Sequence, residues 1–216
     1  MKKAFAILAA ALVVLAVAHA ESAEDAKASA KMVNEARREA KAAVKLLKKE
    51  GFRSYELGNP ETGLQGYFLK AAGGCAKITG TSGPCISENL AKLTALANAA
   101  NEYAVLQGGT VRGRIVSTAS SLSGQQLDNL VSSFERLVEK EIRGELIPCA
   151  TFFRSRGGRH AARIYCIIDE DAAARARKHA MALALEEQSL AEKYGSLASD
   201  WVQEGFDRME AREDGR

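Results

Sequence analysis

Apolar residues recur at helical spacing over long stretches of this chain and alternate over shorter ones, and that rhythm predicts most of its elements. Ala26, Ala30, Val33, Ala40, Val44 and Leu47 fall three or four positions apart, or multiples of that, with Arg37 as the one interruption. They predict a long helix over 22–50 with a narrow, alanine-rich stripe. Ser22 is its cap, Glu24 and Asp25 occupy the first turn, and Lys45, Lys48 and Lys49 gather near the end before Gly51. Residues 52–66 show little periodicity and contain Asn59-Pro60, so a connecting segment is expected, with Tyr67-Phe68-Leu69 opening a short strand. From Ser87, the run Leu90, Leu93, Leu96, Ala97, Ala100, Tyr103 and Ala104 predicts a helix to about Gln107, stopped by Gly108-Gly109. Residues 110–118 then alternate as a strand, with Val111, Gly113 and Ile115 on one side and Arg112, Arg114 and Val116 on the other.

A polar turn at 120–124 leads into a helix over 125–142, carried by Leu127, Leu130, Val131, Phe134, Leu137, Val138 and Ile142. Gly157-Gly158 accepts the positive φ angles of a two-residue turn and predicts a hairpin over 145–168. Asp169-Glu170-Asp171 suits the positive end of a long helix with Ala173, Ala176, Ala180, Leu183, Leu190 and Tyr194 on its buried side. A short helix around Trp201, Val202 and Phe206 would end the chain. The expected architecture is α+β: a small, mainly antiparallel sheet with helices on one face, plus the long N-terminal helix.

Lys2 and Lys3 precede an apolar run from Ala4 to Ala18, and Ala18-His19-Ala20 places small residues where a signal peptidase reads. The expectation is a signal peptide at 1–20, an N-terminal helix at 21–51, an α+β domain at 52–197, and a short helix and tail at 198–216. A periplasmic or secreted location follows. No Cys follows Ala20, so lipid attachment there is not expected, nor is a membrane span after cleavage. Loss of Lys2 and Lys3 takes the 30 basic residues to 28 against 27 acidic ones, a balance that gives no general drive towards nucleic acid.

Four cysteines in an oxidising compartment favour two disulfides over a metal site, since no Cys-x-x-Cys or nearby His pair is present. A Gly157-Gly158 turn sets Arg156 opposite Arg159 and, counting outward, Cys149 opposite Cys166 at a non-hydrogen-bonded position where a bridge fits. Pro148 would have to donate the next ladder bond and cannot, so pairing should stop or bulge just beyond. Cys75 is then left to close a loop with Cys85. Each bridge would contribute roughly 3 kcal/mol.

Catalytic signatures are sparse. No two glycines stand two apart, and the chain lacks Gly-x-Ser-x-Gly, Ser-x-x-Lys and His-Glu-x-x-His, so no cofactor, metal or catalytic residue is expected. A hydrolase using carboxylates distant in sequence is the alternative. The most distinctive cluster is Arg154, Arg156, Arg159, His160 and Arg163 around the hairpin tip, where guanidinium groups could grip phosphates or carboxylates of an envelope protein or another anionic envelope component. The alanine-rich stripe of the N-terminal helix offers a second interface, for a homo-oligomer.

The run Leu90-Ala91-Lys92-Leu93-Thr94-Ala95-Leu96-Ala97-Asn98-Ala99-Ala100-Asn101-Glu102-Tyr103-Ala104, followed by a strand, a serine-rich turn and the strand Ala162-Arg163-Ile164-Tyr165-Cys166-Ile167-Ile168, resembles the small bacterial envelope lipoprotein (Lpp-twenty) family. Its fold is shared with the N-terminal domain of flagellar assembly protein T. The resemblance covers about residues 87–185. It implies a non-catalytic envelope or assembly component without cofactor, although this chain lacks the lipoprotein cysteine and adds four cysteines and an N-terminal helix.

Overall fold

The computed structural model of the protein describes residues 29–55, 59–119 and 121–202. The expected signal peptide, the first turns of the N-terminal helix and the tail beyond Val202 lie outside these residues. Helix α1 runs through 29–49. It ends where Gly51 takes a φ of +81°, with the Phe52 N–H donating to the Leu47 carbonyl and the Gly51 N–H to that of Lys48. This is the left-handed helix stop that glycine adopts without a Cβ penalty, and Phe52 folds back onto Leu47 in the same buried cluster.

Strand β1 (Arg53–Ser54) and helix α2 (Pro60–Ala72) replace the expected connector and short strand. The helix signals are local: the Asn59 side chain accepts from the Glu61 N–H at 3.0 Å, and Pro60 occupies the first turn, where its missing N–H costs nothing. Strand β2 (Ala76–Thr81) then lies where a cysteine-closed loop was expected. Helix α3 (Glu88–Thr118) runs unbroken through Gly108-Gly109 and absorbs the expected strand at 110–118. Val111 and Ile115, four apart, fit both periods, and burial of these two with Gly113 exposed fits the helix.

Helix α4 (Gly124–Ile142) starts on a reciprocal cap between Ser123 and Gln126. Strands β3 (Ile147–Arg156) and β4 (Arg159–Ile168) form the hairpin, with Gly157 and Gly158 at φ of +57° and +71°. Helix α5 (Glu170–Glu187) follows, and the Asp169 carboxylate accepts from the Ala172 N–H. It stops short of the expected Tyr194. A turn at Ser189 leads to the short helix α6 (Ala191–Tyr194) and a helical segment at 198–202.

The sheet is antiparallel throughout, in the order β1-β3-β4-β2. Helices lie on both faces, not one. Even-numbered residues of β4, such as Ala162, Ile164, Cys166 and Ile168, join the larger core with α3, α4 and α5. On the other face Ala150, Phe152 and Tyr165 meet Ala40, Val44 and Leu47 of α1 and Leu64 of α2. The second half of the α1 stripe is therefore spent on its own domain, while Met32 and Val33 are exposed. Helix α3 buries Ala91, Ala95 and Ala99 and turns Leu90 and Leu93 outward, because it approaches β2 too closely for larger side chains. Gly80 of β2 sits against the Ala95 carbonyl.

Trp201 and Val202 are buried in the larger core, so the domain continues past the expected boundary at 197. The Trp201 indole N–H donates to Thr118 Oγ1 at 2.8 Å.

Candidate functional site

The hairpin register decides where the arginines point. Arg156 faces Arg159, Arg154 faces Ala161, and Phe152 faces Arg163. Side chains of directly opposed residues emerge on the same face of a sheet, so all four arginines project from the α1 side and His160 from the α3 side. The sequence-predicted cluster is thus one arginine face with the histidine behind it.

Within that face the arginines divide. Arg154 and Arg163 flank the Phe52 ring, with guanidinium carbons 5.0 and 4.8 Å from its centroid. Arg163 Nη1 lies 2.8 Å from Glu50 Oε2, and Arg154 Nη1 donates to the Glu50 carbonyl at 3.4 Å. These two residues fasten the hairpin to the end of α1. Arg156 and Arg159 stand exposed at the turn. Glu50 and Phe52 were missed as partners, although a lysine-rich helix end, a glycine and then an aromatic is the sequence mark of this helix stop.

His160 is half-buried. Its Nδ1 is 2.9 Å from Ser155 Oγ and 3.6 Å from Glu88 Oε1, and its backbone exchanges two hydrogen bonds with Cys85.

The cysteines are all thiols in this structure. Between Ala150 opposite Tyr165 and Pro148 opposite Cys166 the register shifts by one, which makes Cys149 the extra residue of a β-bulge. Pro148 thereby moves to a non-hydrogen-bonded position, where its missing N–H is harmless. The bulge falls at the cysteine itself, not beyond it. Cys149 stays close enough to Cys166 to act on it electrostatically: burial, and then the neighbouring Cys149, push the Cys166 thiol up to about 12.

The Cys75–Cys85 bridge is corrected by the register. Ala76 pairs with Ile168 and Cys85 with His160, eight residues apart along β4. At about 3.3 Å per residue the two ends are some 26 Å apart, against the roughly 4.4–6.8 Å between Cα atoms that a disulfide spans.

Other polar clusters serve the fold. Arg177, 3% exposed, donates to the Tyr103 hydroxyl and to Glu170 Oε1, each at 2.7 Å. Burial raises the Tyr103 pKa, and Arg177 opposes the shift. Ser121 Oγ lies 2.5 Å from the Tyr194 hydroxyl and 3.1 Å from Lys193 Nζ, contacts that tie α6 to the α3–α4 turn, and hydrogen bonding of the Tyr194 hydroxyl with Ser121, then with Lys193, lowers its pKa. Asp128, Glu139 and Glu187 pair with Arg112, Arg143 and Arg136, and Glu141 with His179. Each of these carboxylates is set against a basic side chain.

Among the described residues no group of three or more His, Cys, Asp or Glu side chains is placed to hold a metal, and no helix is long and apolar enough to cross a membrane. No family model, curated protein or solved structure matches this chain. What the fold and site define is an α+β domain with a braced, arginine-bearing hairpin.

Proposed function

We propose that the protein is an exported, non-catalytic component of the bacterial cell envelope, related to the small envelope lipoproteins, that binds or assembles with an anionic envelope partner through its hairpin tip. One observation carries this reading. The fold uses Arg154 and Arg163 as braces and leaves Arg156 and Arg159 side by side and exposed on the same sheet face. Two guanidinium groups on a stiff turn form a fork suited to phosphate or carboxylate, and the rigid base lowers the ordering cost of binding.

The test is cosedimentation at low salt with vesicles of phosphatidylglycerol and, separately, of phosphatidylcholine. The reading expects retention on the anionic vesicles alone, lost in Arg156→Ser/Arg159→Ser at an unchanged melting temperature. Equal retention of that variant removes the tip from consideration. Export is tested by N-terminal sequencing of the secreted chain, expected to begin at Glu21.

A further inference from the structure

Helix α1 carries a second basic feature that the hairpin does not explain. Lys41, Lys45, Lys48 and Lys49 line a groove of about 470 Å³ together with Val44 and with Glu61 from the first turn of α2. The volume falls within the usual range for small-ligand pockets, about 300–1,000 Å³. Positions 41, 45, 48 and 49 share one helix face, and about 12 Å of helix separates the first from the last. Four ammonium groups face one carboxylate.

That charge is not neutralised by the fold. Among the described residues none of the four lysines has an ion-pair partner, whereas Arg112, Arg136, Arg143, Arg163 and Arg177 each do. Like charges one helical turn apart, as in Lys41 with Lys45 and Lys45 with Lys49, oppose helix formation. Lys48 and Lys49 recover part of this by lying near the negative end of the helix dipole, which reaches only the last turn. Lys41 and Lys45 lie outside it. The lysine stems and Val44 also provide an apolar floor beneath the charges.

We infer that this groove is a binding site for a compact ligand carrying two or more phosphate groups. Four lysines and Glu61 leave an excess of three positive charges. A phosphate monoester carries about −1.5 to −2, so two such groups balance the groove where one does not. Ammonium groups spaced along one helix suit separate phosphates better than a single planar carboxylate, which a guanidinium fork would match. The site is built from α1 and α2 and is independent of the hairpin tip, so either reading can fail while the other stands.

Titration calorimetry of the full chain with inorganic tripolyphosphate at low salt tests it, with orthophosphate and phosphatidylglycerol vesicles as separate arms. Tripolyphosphate should bind at least tenfold more tightly than orthophosphate and raise the melting temperature. Lys41→Gln/Lys45→Gln, which keeps helix propensity and removes a repulsion, should weaken it about tenfold or more. Lys178→Gln on the exposed side of α5 and Arg156→Ser/Arg159→Ser should not. No tripolyphosphate binding, or binding unchanged in the Lys41/Lys45 variant, overturns the inference. So does lysine-dependent binding to vesicles without tripolyphosphate binding, which would assign the face to a membrane surface.

Discussion

Arg163 holds its guanidinium 4.8 Å from the ring centroid of Phe52 while its Nη1 meets the Glu50 carboxylate at 2.8 Å. The contact joins the end of α1 to the middle of β4, and the two halves of it differ in weight. Phe52 is 6% exposed and packs on Leu47 and Leu64, so its removal leaves a cavity as well as two cations without their ring. Phe52→Ala should cost about 3 kcal/mol or more. Arg163→Ala removes a partly exposed ion pair and one cation–π contact and should cost about 1 kcal/mol. Urea unfolding followed by Trp201 fluorescence measures both. A larger loss for the arginine than for the phenylalanine would contradict this ranking.

Glycine positions of opposite sign test the close approach of α3 to the sheet. A Cβ on Gly80 would run into the Ala95 backbone carbonyl, which cannot move without shifting α3. Gly80→Ala should lose about 2 kcal/mol or more. Gly109, inside α3, has no heavy atom within 4 Å of the same added carbon, so Gly109→Ala should gain up to about 1 kcal/mol from helix propensity. Thermal unfolding of the two variants should therefore move in opposite directions.

The same glycines show where the chain could be read and where it could not. The hairpin was legible because Gly157-Gly158 allows one turn, and that turn sets the register down to Ala150 and Tyr165. Helix α4 was legible because its large apolar residues sit on the buried side, and α5 at its start, where Asp169 caps it, although its own buried side is mostly alanine. Helix α3 was half legible. Half of its buried stripe is alanine, which carries little hydrophobic signal, and Gly108 looks like a stop although it makes room for the Glu135 side chain of α4. Strand β2 was hidden for a related reason: Ala76-Lys77-Ile78-Thr79-Gly80-Thr81 has only one large apolar residue, and two flanking cysteines suggested a closed loop instead. At the candidate site the arginines could be named from sequence. Their division into braces and free tip could not, because it depends on Glu50 and Phe52, some hundred residues earlier.

The thiols give a prediction with a definite pairing. Oxidised glutathione should link Cys149 to Cys166, the two thiols giving up two protons and two electrons as the glutathione disulfide is reduced to two thiols. No peptide linking Cys75 to Cys85 should be found, since β2 separates them. Mass mapping after digestion decides both points. A dominant Cys75–Cys85 product would show that the strand does not form.

Alkaline pH tests the burial of Cys166. Its pKa rises from the ordinary 9.0 to about 12, first through burial and then through Cys149. The folded state therefore holds a proton that the unfolded state releases more easily. Its contribution to stability is complete below about pH 9 and is lost as the pH climbs towards 12. Burial shifts Tyr67, Tyr103 and Tyr165 in the same direction. The urea midpoint should fall steadily over this window, and Cys166→Ala should make the fall shallower. A slope unchanged by that substitution would mean that the thiol is not buried as described.

Arg177 is a buried charge between α3 and α5, and its hydrogen bonds to Tyr103 and Glu170 give a test that simple packing would fail. Tyr103→Phe leaves one guanidinium N–H without its acceptor and should cost about 1–3 kcal/mol. Arg177→Met keeps much of the side-chain volume but strands the buried Tyr103 hydroxyl and returns Glu170, which is 39% exposed, to solvent. It should cost a similar amount, because breaking one side of a buried polar pair is worse than replacing both. The double variant removes donor and acceptor together, so its loss should fall below the sum of the single losses by about 1 kcal/mol or more. Additive losses in denaturant unfolding would mean that Arg177 contributes bulk alone, and that the hydrogen bond joining α3 to α5 has no net effect on stability.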